Sequence, residues 1–228
     1  MNGIAANTAV ERALGITVLL TIMWVVAMAV ELKQFEKGRN ACELKSPVAA
    51  LELADSPGTF RAVLDQGNQA NNVKVMMWNT GMDFVFIALY CLTFWLLANA
   101  YITESILPRL IKIAIVVTGA FDILEDIQLW RELGMVSDLT PETVSLTRGI
   151  SLTKWAAFAL ALALLAVYYW LLSGSSTLLK SISVSAGAAA ALTAIGLFNN
   201  SMINLMSLPM GLVFLFTAIK FFPFQHAG

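Results

Sequence analysis

The sequence predicts an all-α, polytopic transmembrane helical bundle, and two observations predict it. Hydrophobic residues make up 58% of the chain and charged residues 13%, about half the charged share of a typical soluble domain. Six apolar runs also reach the length needed to cross a bilayer, about 20 mostly apolar residues. The 228 residues suit a single transmembrane domain over 1–228, with an extramembrane helical loop over 33–74.

The first span runs from about Ala13 to Leu32 and lacks a basic leader and a small-residue cleavage pattern, so it reads as a retained anchor. In the loop that follows, Ser46-Pro47 and Ser56-Pro57 each place an N-cap before a proline at the first helical position. They predict two short surface helices over 47–54 and 57–66. Leu51, Leu53, Phe60, Val63 and Leu64 supply their apolar faces, which would rest on the membrane or over the mouth of the bundle as a lid. The second span runs from about Val75 to Ala98, the third from Leu107 to Trp130 and the fourth from Leu152 to Leu172, its helix starting early at Thr140-Pro141. The fifth, Leu178 to Phe198, is rich in Ala, Gly and Ser, which let helices approach closely in a bilayer. The sixth, Ile203 to Phe222, carries Pro209 and Gly211, where a kink is expected.

Alternating direction gathers the polar residues at one end. The first, third and fifth spans end there, and the second, fourth and sixth begin there. That end holds Glu31, Asn79, Asp83, Asp122, Glu125, Asp126, Arg148, Lys154, Asn199, Asn200 and Asn204, while the opposite halves are nearly bare. At 100° per residue, Asp122, Glu125 and Asp126 fall within an arc of about 100° on one face. Asp83, Phe86 and Tyr90 form a second stripe. A carboxylate in hydrocarbon costs about 2.5–3.5 kcal/mol on insertion scales, so such residues turn inward, find partners and mark function. Asp83, Asp122 and Glu125 are therefore the candidate catalytic acids. Arg148 and Lys154 are their charge partners, and Tyr90, Phe86, Phe121, Asn79 and Asn204 are the candidate substrate-binding residues. A competing reading makes the acids interfacial, paired with basic loop residues, and makes Asp83 and the asparagines caps. The six tryptophans read mostly as interface belts.

The segments Glu52-Leu-Ala-Asp-Ser-Pro57, Asp83-Phe-Val-Phe-Ile-Ala-Leu-Tyr90 and Asp122-Ile-Leu-Glu125-Asp126 resemble a family of uncharacterised bacterial multi-pass membrane proteins. That family carries E-L-A-x-S/T-P, D-F-x-F-x-x-x-Y and D-x-x-E-N motifs in this order. The likeness covers roughly residues 48 to 130, and Asp126 departs from it where the pattern has asparagine. The resemblance implies a bacterial inner-membrane protein and supports the site without implying a reaction.

Several chemistries are disfavoured. The net charge of −1 argues against a nucleic-acid partner. The single histidine, His226, argues against haem held by two histidines or a histidine zinc site. Cys42 and Cys91 sit in different environments, which disfavours a disulfide or thiolate metal site. No phosphate loop, nucleophile elbow or metal-ligand spacing occurs, so no cofactor and no metal are expected. The expected function is binding of a lipid-like or isoprenoid amphiphile, with carboxyl acid–base chemistry as the reaction to test. The alternatives are a non-catalytic accessory subunit of a larger membrane complex and a small proton- or cation-coupled transporter. Membrane lipids, a membrane-protein partner or a second copy are the expected partners. The polar end carries nine of the 14 Lys and Arg but also 13 of the 15 acids, so the charge distribution leaves orientation open.

Overall fold

Eight α-helices and no strands make up the described part of the chain. The structure is a computed structural model that describes residues 8–36, 46–65, 67–199 and 203–222. The helices are α1 (Thr8–Glu31), α2 (Pro47–Glu52), α3 (Pro57–Leu64), α4 (Gln69–Asn99), α5 (Leu107–Gly134), α6 (Pro141–Ser173), α7 (Thr177–Gly196) and α8 (Ile203–Phe221). Local chemistry sets the starts. The side chains of Ser46, Ser56, Asn68, Thr140 and Ser176 accept from backbone N–H groups of the first turns of α2, α3, α4, α6 and α7. Each satisfies a donor that the helix itself leaves unpaired. At Thr140 and Thr143 the exchange is reciprocal, a capping box. Gly67, at φ 88°, makes the turn into α4 in the left-handed region that glycine enters freely. α2 and α3 each end two residues before the predicted limits, because Asp55-Ser56 breaks the first run to cap the second and the backbone turns again before Gly67.

The six long helices close into a ring. α1 packs on α4, α4 on α5, α5 on α6, α6 on α7, α7 on α8 and α8 back on α1. The ring's core contains Leu14, Phe94, Ile115, Leu165, Ile182 and Val213, all buried. A second cluster lies at the polar end. There Leu51, Phe60 and Leu64 of the short helices pack with Met76 of α4, Leu129 and Leu133 of α5, and Val144 of α6. Each such side chain contributes about 1.5–3 kcal/mol. Arg61 fastens α3 further by donating to the carbonyls of Val136 at 2.9 Å and Ser137 at 3.1 Å in the α5–α6 turn.

Four helical stretches are long and apolar enough to cross a membrane: Thr8–Gln34, Gln69–Asn99, Pro141–Ser173 and Thr177–Gly196. This is a narrower result than the six spans expected. α8 contributes a shorter apolar stretch, Leu205–Phe221, and runs through Pro209 as one helix. α5 carries Asp122, Glu125, Asp126 and Glu132, all buried. Its outward face is different: every exposed residue from Leu110 to Trp130 is apolar, Ile113, Val116, Ile123, Leu124 and Ile127 among them.

Candidate functional site

One lysine gathers the inward-facing acids. Lys154 enters the bundle from the first turn of the apolar stretch of α6, which starts at Leu152, and is buried. Its ammonium lies 3.1 Å from Asp122 Oδ1 on α5 and 3.4 Å from Glu52 Oε1 on α2, and it donates to Glu125 Oε2. The other oxygen of Glu125 accepts from the Ser151 hydroxyl. Ser151 sits one turn before the lysine, and its hydroxyl is also 3.1 Å from the Glu52 carbonyl oxygen. Three helices distant in sequence are thus tied through one cation. Removing one partner of such a buried pair costs about 3–5 kcal/mol, because the other charge is left uncompensated.

Around this centre the acids outnumber the bases. Asp83 interacts electrostatically with Asp122, Lys154 and Glu52, and Asp126 with Asp83 and Asp122. Asp126 Oδ2, Glu52 Oε2 and Asn79 Nδ2 are buried without hydrogen-bond partners. Outside the bundle, the Thr59 hydroxyl donates to Asp55 at 2.6 Å and holds that carboxyl below its usual range.

A cavity of about 310 Å³ opens beside the cluster. α4 lines it with Asp83, Phe86 and Tyr90, which recur on one helical face. α5 adds Thr118 and Asp122, and α6 adds Lys154, Trp155 and Phe158. α8 adds Met206, Ser207 and Met210, while α2 covers it with Val48, Ala49 and Glu52. The Tyr90 hydroxyl donates to Asp122 Oδ2 at 2.8 Å, so both oxygens of Asp122 are held. Tyr90, Phe94, Phe158 and Phe214 meet ring to ring and close the bundle toward the far end. Close approach of α4 and α5 here needs Gly119, where an added Cβ would lie 2.6 Å from Cys91 Sγ. Among the described residues, no three His, Cys, Asp or Glu side chains are arranged to hold a metal ion.

The predicted residues separate into distinct places. Asp83, Asp122, Tyr90, Phe86 and Lys154 line one cavity. Glu125 stands behind it, spent on Lys154 and Ser151, so it supports the wall without facing the space. Asn79 is buried but does not line the cavity. Phe121 is half-buried and also absent from the lining, since the residue before Asp122 is turned about 100° away from it. Arg148 is half-buried and acts electrostatically on Asp55 rather than on the α5 acids. The side chain of Asn204 lies outside the described residues, as do Asn200, Cys42 and His226.

Sequence reasoning missed Glu52, Ser151, Trp155 and Phe158. Glu52 was visible as the acid inside the Glu52–Pro57 segment and as the one charge within the predicted 47–54 helix. Trp155 read as a belt residue, yet it faces the cavity and takes Lys154 over its ring at 4.7 Å. Its indole N–H is buried without a partner. Compared with protein-family models, curated proteins and solved structures, the chain finds no match.

Proposed function

We propose that this chain is a six-span integral membrane protein whose cavity binds an amphiphile by its polar head. The observation that carries the reading is the cavity itself: carboxylates and an ammonium on one wall, aromatic and methionine side chains on the others. Such a mixture of apolar lining and a few convergent polar groups is what a small-molecule site needs. About 310 Å³ has room for about ten water-sized groups. It takes a head and a few methylenes, not a whole lipid, so the chain must leave the cavity. Ser207 both lines the cavity and is exposed, beside exposed Leu205 and Leu208 on α8. An opening there faces the lipid, where a hydrocarbon tail belongs.

The two further spans, α5 and α8, are supported by their outer faces. The exposed residues of α5 stay apolar over Leu110–Trp130, about 30 Å of helix. Its acids weigh on overall composition but are turned inward. In this arrangement α2 and α3 form a lid on the polar end. Asp122, held by Tyr90 and Lys154 at the cavity wall, is the group placed to exchange a proton with a bound head. Glu52, Asp83, Tyr90 and Asp122 come from the three motif segments and all line the cavity. A second reading, an accessory subunit, draws on the outer groove of small residues between α6 and α7, including Ala163, Ala166, Gly187 and Ala190.

The test is native mass spectrometry of lipid co-purified with the wild type, Asp122→Asn and Asp126→Asn. Wild type and Asp126→Asn should retain the same adduct, and Asp122→Asn should lose it. Equal retention by all three, or by none, makes the acids structural and favours the accessory reading.

A further inference from the structure

We propose that the head recognised by this cavity carries a positively charged nitrogen, seated between the carboxylates of Glu52, Asp83 and Asp122 and a wall of aromatic rings. The inference rests on the amphiphile reading above and narrows it to one class of ligand. Its first support is an acceptor left over. Glu52 is 5% exposed and lines the cavity; one carboxylate oxygen reaches Lys154, while Oε2 is buried with no hydrogen-bond partner. A buried acceptor without a donor is costly, and an ammonium head supplies one.

The second support is independent of the acids. Four rings run continuously along the lining: Phe86 to Tyr90 at 5.2 Å, Tyr90 to Phe158 at 6.0 Å and Phe158 to Trp155 at 6.4 Å between centroids. Ring faces attract cations, more strongly where water is excluded. This wall already holds one, since Lys154 Nζ lies 4.7 Å from the Trp155 centroid. Lys154 is committed to Glu125 behind the wall as well as to Asp122 and Glu52, so its single charge is shared among more acids than it can match, Asp83 included. A cationic head would complete the charge balance of Glu52, Asp83 and Asp122, whereas an anionic head would add like charge to a site that already holds more acids than bases, which disfavours it. The unpartnered indole N–H of Trp155 adds a donor for an oxygen close to the cationic nitrogen, such as an ester or hydroxyl.

The probes are dodecylammonium, dodecyl phosphate and dodecanol, which share one chain and differ in head. Each is titrated against the full-length wild type in a neutral saccharide detergent, with adducts read by native mass spectrometry. The expected result is a one-to-one dodecylammonium adduct at a concentration about tenfold lower than dodecanol requires, with no dodecyl phosphate adduct. Glu52→Gln should lower the ratio of ammonium to dodecanol affinity, a ratio in which any loss common to both probes from loosening α2 cancels; an unchanged ratio overturns the role given to Glu52. Equal binding of all three heads overturns the cation inference and leaves the amphiphile reading standing. Preference for dodecyl phosphate overturns the inference too, and makes Lys154 the anchor. No adduct with any probe overturns the amphiphile reading and this inference together. Because the wild type alone separates these outcomes, the result does not depend on a variant folding.

Discussion

Glu52 on α2 and Lys154 on α6 meet at 3.4 Å, and both side chains are buried. This contact joins the loop between the first two long helices to the acids of α5, because the same ammonium also reaches Asp122 and Glu125. Glu52→Gln keeps the shape and removes the charge. It should raise hydrogen exchange across residues 46–65 while the long helices keep their protection. Unchanged exchange in that segment would mean that Leu51, Phe60 and Leu64 hold α2 and α3 without the ion pair.

Lys154→Met should be the most damaging single change in the site. It strands Glu125, Asp122 and Glu52 without their shared cation, a loss of about 3–5 kcal/mol. Lys154→Met with Glu125→Gln should recover a large part of it, since the most deeply placed carboxylate is then neutral. The measurement is resistance to unfolding of the detergent-solubilised protein. A double variant no better than the single one would show that the pairing is not what the lysine contributes.

Tyr90→Phe removes one hydrogen bond, 2.8 Å to Asp122, and leaves the ring contacts to Phe86 and Phe158 in place. The expected loss is about 1–3 kcal/mol, the range for a buried hydrogen bond to a carboxyl group. Thermal unfolding of the detergent-solubilised protein reads it. A variant as stable as wild type would show that water replaces the hydroxyl.

Gly119→Ala places a Cβ 2.6 Å from Cys91 Sγ and should force α4 and α5 apart, at about 1–3 kcal/mol. Adding Cys91→Ala should restore most of the loss by removing the sulfur. If the pair is as unstable as Gly119→Ala alone, the tight approach lies elsewhere along the interface.

The outward face of α5 should be lipid-covered. With the native cysteines replaced, Val116→Cys and Ile123→Cys should resist a membrane-impermeant maleimide in intact membranes, whereas Asp138→Cys in the α5–α6 turn should react from one side. Reaction at position 116 or 123 would remove α5 from the set of spans.

The helical period makes the stripe of Asp122, Glu125 and Asp126 and the stripe of Asp83, Phe86 and Tyr90 legible in the sequence alone. Alternating direction along successive spans placed Lys154 at the same end. Burial of the acids followed, because charge in hydrocarbon turns inward. The Ser-Pro and Thr-Pro pairs marked where α2, α3 and α6 start, since capping is chemistry between near neighbours.

Tertiary packing decided the rest. Period gives a residue's angle about its own helix axis but not what stands opposite that angle. Asp122 and Glu125 share a face, yet α6 meets Glu125 with Lys154 and Ser151 while Asp122 fronts the open space. Phe121, a candidate for the lining, adjoins Asp122 in sequence, and one residue of rotation carries it out of the cavity. Glu52 stayed hidden because its place depends on where a 42-residue loop folds back, which the contacts of Leu51, Phe60 and Leu64 with α4, α5 and α6 settle. Nothing local to residue 52 encodes the lysine 102 positions away that completes its ion pair.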